Sequence, residues 1–279
     1  MKKLVKMIIV LLLALSLTGL VACKKTEDNG VSDYAAIEKR GTIKIGYTVF
    51  APIAYPDANN ELIGFDVDLP KAVAAKLGLT AEFVLIDWDT KEAELEAKTI
   101  DCIWNGLTIT DERQENLSLT PSYMKNQQVV ITLADKTYTD IASLSQCKIG
   151  AEAGSAGEDA IKDNNMGKEY VALNAQSDIL TELLAGTIDA GVMDSVMAAY
   201  YVGQTADGSK YKIVDSIQFD LEYYGIACRK SSPYIAAKIW NAIVELKEDG
   251  TVDTIADKYD LKSQLAITAG KIDLTQYTK

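Results

Sequence analysis

The sequence predicts an α/β protein made of two βαβ-rich lobes that face each other across a cleft. Three observations carry this expectation. Short apolar runs rich in β-branched residues alternate with helical periodicity through most of the chain, the pattern of βαβ units and parallel sheets. Glu94-Leu95-Glu96-Ala97-Lys98-Thr99-Ile100-Asp101 returns as Glu182-Leu183-Leu184-Ala185-Gly186-Thr187-Ile188-Asp189, 88 residues later. The strand Lys44-Ile45-Gly46 likewise returns as Lys148-Ile149-Gly150, so two matches fall in one order. Two lobes of one plan leave a cleft at the carboxyl ends of their strands, where open α/β sheets bind ligands.

The chain begins with a targeting pattern. Lys2, Lys3 and Lys6 precede an apolar run from Met7 to Leu17, broken only by Ser16. That run is too short for a membrane span, which needs about twenty residues, and it fits a signal-peptide core. Leu20-Val21-Ala22-Cys23 resembles a bacterial lipobox, which makes residues 1–22 a lipoprotein signal peptide and Cys23 the lipidation site. Residues 23–38 are expected as a polar tether, and two acyl chains at Cys23 give stable membrane attachment where one chain does not.

Removal of the leader takes three of the 28 basic residues and none of the 40 acidic ones, so the mature charge is −15. Such a surface repels phosphate backbones and argues against nucleic acid as a partner. With no histidine, the commonest zinc ligand and the usual general base are both missing. No cofactor and no metal are expected, and the protein is expected as a monomer. Cys102, Cys147 and Cys228 lie in apolar runs without metal-like spacing and read as small hydrophobes, with no sequence support for a disulfide.

The elements follow in order. Thr42–Val49 is a first strand, and Phe50 at its end is a core residue or a ligand platform, the platform being favoured by its junction position. Residues 57–61, Asp-Ala-Asn-Asn-Glu, read as a hairpin tip. Asp66 is expected to cap a helix whose stripe is Leu69, Val73 and Leu77, closed by Gly78. A strand from Ala81 to Ile86, a loop at residues 87–90 and a short helix lead into Asp101–Arg113, the stretch around which the chain is organised. There an apolar strand meets a turn of small polar residues, Asn105-Gly106-Leu107-Thr108. Arg113 stands just beyond, with a fork of donors suited to a carboxylate.

In the second half, Ser155 and Glu158 have capping-box spacing after a Gly-flanked turn, and backbone N–H groups at such a helix start attract anions. Asp194 ends the repeated strand, where it either caps the helix Ser195–Val202 or faces the cleft and holds an ammonium group. Gln128–Leu133 leaves the first half and Glu222–Cys228 returns to it, a two-stranded hinge of the kind that permits closure. Helices are expected at Tyr234–Leu246 and Thr251–Tyr259, and the tail from Ile267 has no clear assignment. Lobe 1 is expected at residues 39–130 and 225–279, and lobe 2 with its hinge strands at residues 131–224.

Residues 50–52 (Phe-Ala-Pro), 64–69 (Gly-Phe-Asp-Val-Asp-Leu), 87–89 (Asp-Trp-Asp), 104–110 with Arg113, 121–123 (Pro-Ser-Tyr), 153–158, 222–226 and 247–250 occur in an order that resembles the extracellular solute-binding proteins of family 3. These are amino-acid receptors of ABC importers. The resemblance runs from about Thr42 to Tyr259. It implies a type II periplasmic-binding-protein fold with an interlobe amino-acid site and ABC permease subunits as partners. It also implies that Arg113, with Thr108 and the backbone near Ser155 and Ala156, holds the ligand α-carboxylate. Asp194, with Asn105, Gly106 and Thr108, would hold the α-ammonium, and Phe50 would pack on the ligand. Two features depart from the family pattern: the first-strand turn is shorter and lacks its usual acid, and Glu152 stands where glutamine or an apolar residue is common.

A dehydratase-like enzyme on the same fold and a sensor presenting ligand to a membrane receptor are the competing readings. An enzyme would depend on Glu152 or Asp194 as its proton-transfer group. Phe50, Trp88, Asn105 and Glu152 are expected as pocket walls, although Trp88 and Trp104 fit a core equally well. An acidic wall disfavours glutamate and aspartate, and the reading leans to an uncharged polar amino acid such as cystine or glutamine.

Overall fold

The computed structural model describes residues 28–278. The signal peptide and the lipidation site at Cys23 lie outside the described residues. The expected tether ends earlier than residue 38. From Val31 to Arg40 the chain is a helix, α1, with Tyr34 and Ile37 buried. Its apolar edge packs on the C-terminal half, where Tyr34 meets the ring of Tyr234 edge-on and Asp33 pairs with Arg229 at 3.0 Å. Burial of that edge, about 25 cal/mol per Å² of apolar surface, keeps this segment in the body.

Two parallel three-stranded units are related as the repeat predicts. In the first, β1 (Thr42–Tyr47) lies between β4 (Thr80–Leu85) and β5 (Cys102–Thr108). In the second, β8 (Lys148–Glu152) lies between β9 (Glu169–Leu173) and β10 (Ala190–Asp194). A small hairpin, β2 (Tyr55–Pro56) and β3 (Leu62–Ile63), and the short β6 (Leu117–Leu119) and β11 (Tyr211–Ile213) lie off these units. All of β5 and β10 is buried, as strands covered on both faces must be. Helices α2 (Phe65–Lys76), α8 (Pro233–Glu248) and α9 (Thr251–Lys258) pack with the first unit. Helices α5 (Ala156–Asp163), α6 (Asp178–Ala185) and α7 (Ser195–Gln204) pack with the second.

The units are joined by two long antiparallel strands, β7 (Met124–Leu133) and β12 (Leu221–Arg229). They pair through Leu221–Tyr224 and Gln127–Met124. Beyond that pairing β12 continues along β5 and β7 along β10, so the two units join edge to edge through the β12–β7 pair.

The repeat holds in atomic detail. The Asp101 N–H donates to the Lys44 carbonyl and the Asp189 N–H to the Lys148 carbonyl, each at 2.8 Å. The two carboxylates answer by accepting the N–H of Lys44 at 2.7 Å and of Lys148 at 2.8 Å. Gly46 and Gly150 make room for Ile100 and Ile188, whose methyls stand 2.6 and 2.9 Å from where a Cβ would sit.

Two details differ from expectation. Asp66 does not cap α2; its side chain turns inward and accepts the Tyr123 hydroxyl at 2.6 Å and the Gly106 N–H at 3.0 Å. The tail is tied to α8: Asn241 exchanges two hydrogen bonds with the backbone of Ile272, and the Trp240 indole donates to the Gly270 carbonyl. Cys102, Cys147 and Cys228 are free and buried.

Candidate functional site

Between the two units, against the carboxyl ends of β5, β8 and β10, lies a cavity. Phe50, Trp88, Asn105, Gly106, Thr108, Arg113, Glu152, Ser155, Ala156 and Asp194 all line it, so the ten predicted site residues come together. Thr48 and Gln176, which sequence reading missed, complete the wall.

On the first side, the β5 turn is set by Gly106, whose φ of +66° suits glycine and whose missing Cβ would stand 2.7 Å from the Phe50 ring. Asp66 holds the N–H of that glycine from behind. Asn105 donates to Thr48 Oγ1 at 3.1 Å, while its own Oδ1 has no partner among the described residues. Helix α4 (Asp111–Asn116) is capped by Thr110, which accepts the Arg113 N–H and fixes where that side chain starts. Arg113 is 7% exposed; its Nη1 donates to the Thr108 carbonyl at 2.8 Å and its Nη2 crosses to the Gly154 carbonyl at 3.3 Å. Burial lowers its pKa, opposed by nearby acids. Phe50 is buried as well as cavity-lining, so the core and platform readings both apply. Trp88 shares that double position, and Trp104 is core alone.

A second cation crosses the cleft. Lys91, on α3 (Lys91–Glu96), donates to the carbonyls of Gly154 at 2.9 Å and Trp88 at 3.1 Å, with its ammonium 5.1 Å from the Trp88 ring centre. Burial, helped by Arg113, lowers its pKa to about 8.

On the second side, Asp194 occupies the N-terminal end of α7 without capping it. Its carboxylate accepts instead from the amides of Asn126, Gln128 (2.8 Å) and Gln176. Burial raises the Asp194 pKa and the amides oppose that rise. Behind it, Glu222 on the hinge accepts from Asn126 at 2.6 Å, Gln128 at 2.7 Å and the Thr108 hydroxyl at 3.2 Å. Burial and then Asp194 push Glu222 up to about 7.

Glu152 is 3% exposed and its Oε1 has no partner among the described residues. Burial, with Asp194 adding to it, raises the carboxyl to about 8. The capping box at Ser155 is altered. Ser155 Oγ accepts the Glu158 N–H, but the Glu158 carboxylate reaches the Gly154 N–H at 2.6 Å rather than the capping residue's own. That bond anchors Gly154, whose carbonyl receives both Arg113 and Lys91.

One signal for the missed amides is present in the sequence. Met124, Asn126 and Gln128 alternate on β7 and all face inward, so polar residues occupy a buried period-two face. Gln176, Lys91 and Thr48 carry no comparable pattern.

The chain is 30% identical to the lysine/arginine/ornithine-binding periplasmic protein of Escherichia coli, over 82% of this chain and 90% of that one. An ABC uptake transporter substrate-binding protein from Streptococcus pneumoniae, solved with bound histidine, superposes with a TM-score of 0.76 at 33% identity. It covers 81% of this chain and 95% of its own. An ancestral amino-acid-binding protein described as a precursor of cyclohexadienyl dehydratase gives a TM-score of 0.74 at 29% identity, covering 81% of this chain and 99% of its own. The fold is the type II periplasmic-binding-protein fold. Residues 43–262 match the family model, and the chain belongs to the bacterial extracellular solute-binding proteins, family 3.

Proposed function

We propose that the protein is a lipid-anchored, extracytoplasmic receptor that captures a polar amino acid between its lobes and delivers it to the permease subunits of an ABC importer. The observation that carries this reading is that Arg113 and Asp194, opposite in charge and set on opposite lobes, line one buried cavity. A zwitterion taken out of water needs both charges matched, because a buried unpaired charge is very costly. In this reading Arg113 holds the α-carboxylate with Thr108, Ser155 and Ala156, and Asp194 holds the α-ammonium with Asn105 and Gly106. Phe50 and Trp88 flank the ligand. A ligand held from both sides stabilises the closed arrangement of the hinge.

Of the relatives named above, one is a lysine/arginine/ornithine-binding periplasmic protein and another is a substrate-binding protein of an ABC uptake transporter solved with bound histidine, which supports this reading. Anchoring rests on the lipobox ending at Cys23. A thermal-shift screen of refolded, ligand-free protein against the amino acids and cystine tests the reading, since a ligand at 100 times its Kd stabilises by about 2.7 kcal/mol. At least one amino acid is expected to raise the Tm by several degrees; a flat screen contradicts it. Cys23→Ala is expected to move the protein from the membrane fraction to the soluble one.

A dehydratase reading has one observation in its favour, a Glu152 carboxyl at about 8 inside the cavity, suited to proton transfer. Recovery of the bound amino acid unchanged after prolonged incubation separates binding from turnover.

A further inference from the structure

We infer that Glu222 is a positioning residue for Asp194, held to it by two shared amides, and that it gives up a proton when a ligand ammonium arrives. This inference rests on the amino-acid reading of the cavity. Glu222 stands behind the cavity wall, on β12 and directly opposite Asn126 of β7. Asp194 Oδ1 and Glu222 Oε1 accept from the same two nitrogens, Asn126 Nδ2 and Gln128 Nε2. A single amide nitrogen therefore keeps the two carboxylates within two hydrogen-bond lengths of each other. The Ser195 hydroxyl donates to Asn126 Oδ1 at 3.0 Å, which turns the nitrogen of that amide toward the acids.

Two carboxylates this close and this far from bulk water repel when both are ionised, and one proton held by the pair relieves that. The hydrogen bonds decide which acid takes it. Asp194 is served on both oxygens, by Asn126 and Gln128 at Oδ1 and by Gln176 at Oδ2. Glu222 gathers Asn126, Gln128 and the Thr108 hydroxyl on Oε1, and among the described residues its Oε2 receives no hydrogen bond. The proton therefore sits on Glu222, which is part-buried and can exchange it with water. Burial and Asp194 raise Glu222 to about 7, in line with that placement. The other titratable groups facing the pair are Arg113 on α4, Glu152 on β8, Tyr224 on β12 and Tyr123 just before β7, while Lys91 and Asp178 face Glu152. The Arg113 guanidinium is engaged by the Thr108 and Gly154 carbonyls. An ammonium arriving at Asp194 adds a positive charge beside the pair. The O–H bond of Glu222 then breaks, its electron pair stays on the carboxylate and the proton passes to solvent, while the ammonium keeps its own three. Release of a proton on binding makes affinity climb with pH.

Calorimetric titration of refolded protein with L-arginine, L-lysine and L-glutamine, in two buffers of different ionisation enthalpy, counts the protons released. Wild type is expected to release about 0.5–1 proton per ligand and to gain about three- to tenfold in affinity from about pH 6 to about pH 7. Glu222→Gln keeps an oxygen for the three donors; it should still bind, release almost no proton, and change in affinity by less than about twofold over the same range. Glu152→Gln should leave the proton count in place, whatever it does to affinity. A wild-type count near zero overturns the inference, and that measurement does not depend on a variant folding. A count that survives Glu222→Gln also overturns it, as does one that vanishes in Glu152→Gln alone, since the proton then belongs to the cavity wall. Each of these results leaves the amino-acid reading standing, whereas binding of none of the three ligands removes both.

Discussion

The two lobes share a corner and differ in what the corner presents. In both, Glu-Leu near the end of a helix leads to a Thr-Ile-Asp turn, and the aspartate clamps the N–H of a lysine in the neighbouring strand. In both, the threonine hydroxyl returns to the glutamate carbonyl, at 2.7 Å from Thr99 and 3.0 Å from Thr187. Past the corner, β5 runs on to Asn105, Gly106 and Thr108 and leads to Arg113 on α4, while β10 stops at Asp194. The scaffold is duplicated and the chemistry is complementary: one jaw carries the cation and the other the anion. This separates residues that build a strand end from residues that use it.

The separation can be broken from either side. The largest expected effect is on binding. Arg113→Ala should weaken amino-acid binding by at least about 100-fold, since a charge left unpaired in a buried site costs about 3–5 kcal/mol. Its Tm should fall only slightly, as read by calorimetry beside a thermal melt.

The corner residues should behave in the opposite way. Asp101→Ala and Asp189→Ala each orphan a backbone N–H and should lower stability by about 1–3 kcal/mol in urea unfolding. Asp101 also pairs with Arg40, so its variant should lose more. Affinity should change little in either.

Lys91→Met sharpens the same line. Lys91 joins the lobes without lining the cavity, through the Gly154 carbonyl. It should reduce affinity by about three- to tenfold through a weaker closed state, on the scale of about 1 kcal/mol for one such hydrogen bond. An effect as large as that of Arg113→Ala would make Lys91 a ligand contact.

The smallest effect is a pH dependence. Burial raises Asp66 from 3.8 to about 7, and Glu222 and Glu152 are raised in the same direction. A raised folded pKa gives stability that is fully present below the unfolded value and lost as pH climbs through the folded one. The Tm should therefore fall as pH rises from about 4 to about 8, and Asp66→Asn should flatten part of that slope.

Much of this was legible in the chain. The repeat gave the strand order of both lobes, because a packing corner needs the same residues wherever it occurs. Arg113 and Asp194 stood out because each follows a repeated strand. Lys91, Gln176 and Glu222 were not legible, because their roles arise where segments far apart in sequence meet across the cleft or at the hinge. The segment from Val31 was misread as tether because only Tyr34 and Ile37 mark its buried edge. The tail was opaque because its ties run from side chains of α8 to backbone, leaving no periodicity to read.

The central claim is that each jaw answers one charge of a zwitterion. Its most direct test is a titration of wild type, Arg113→Ala and Asp194→Asn with L-arginine, its α-amide and its Nα-acetyl derivative. If the jaws are divided as described, Arg113→Ala weakens L-arginine strongly but costs little further with the α-amide, and Asp194→Asn behaves in the same way toward the acetyl derivative. If Arg113→Ala weakens the amide as much as the acid, Arg113 does not hold the carboxylate and the account is contradicted.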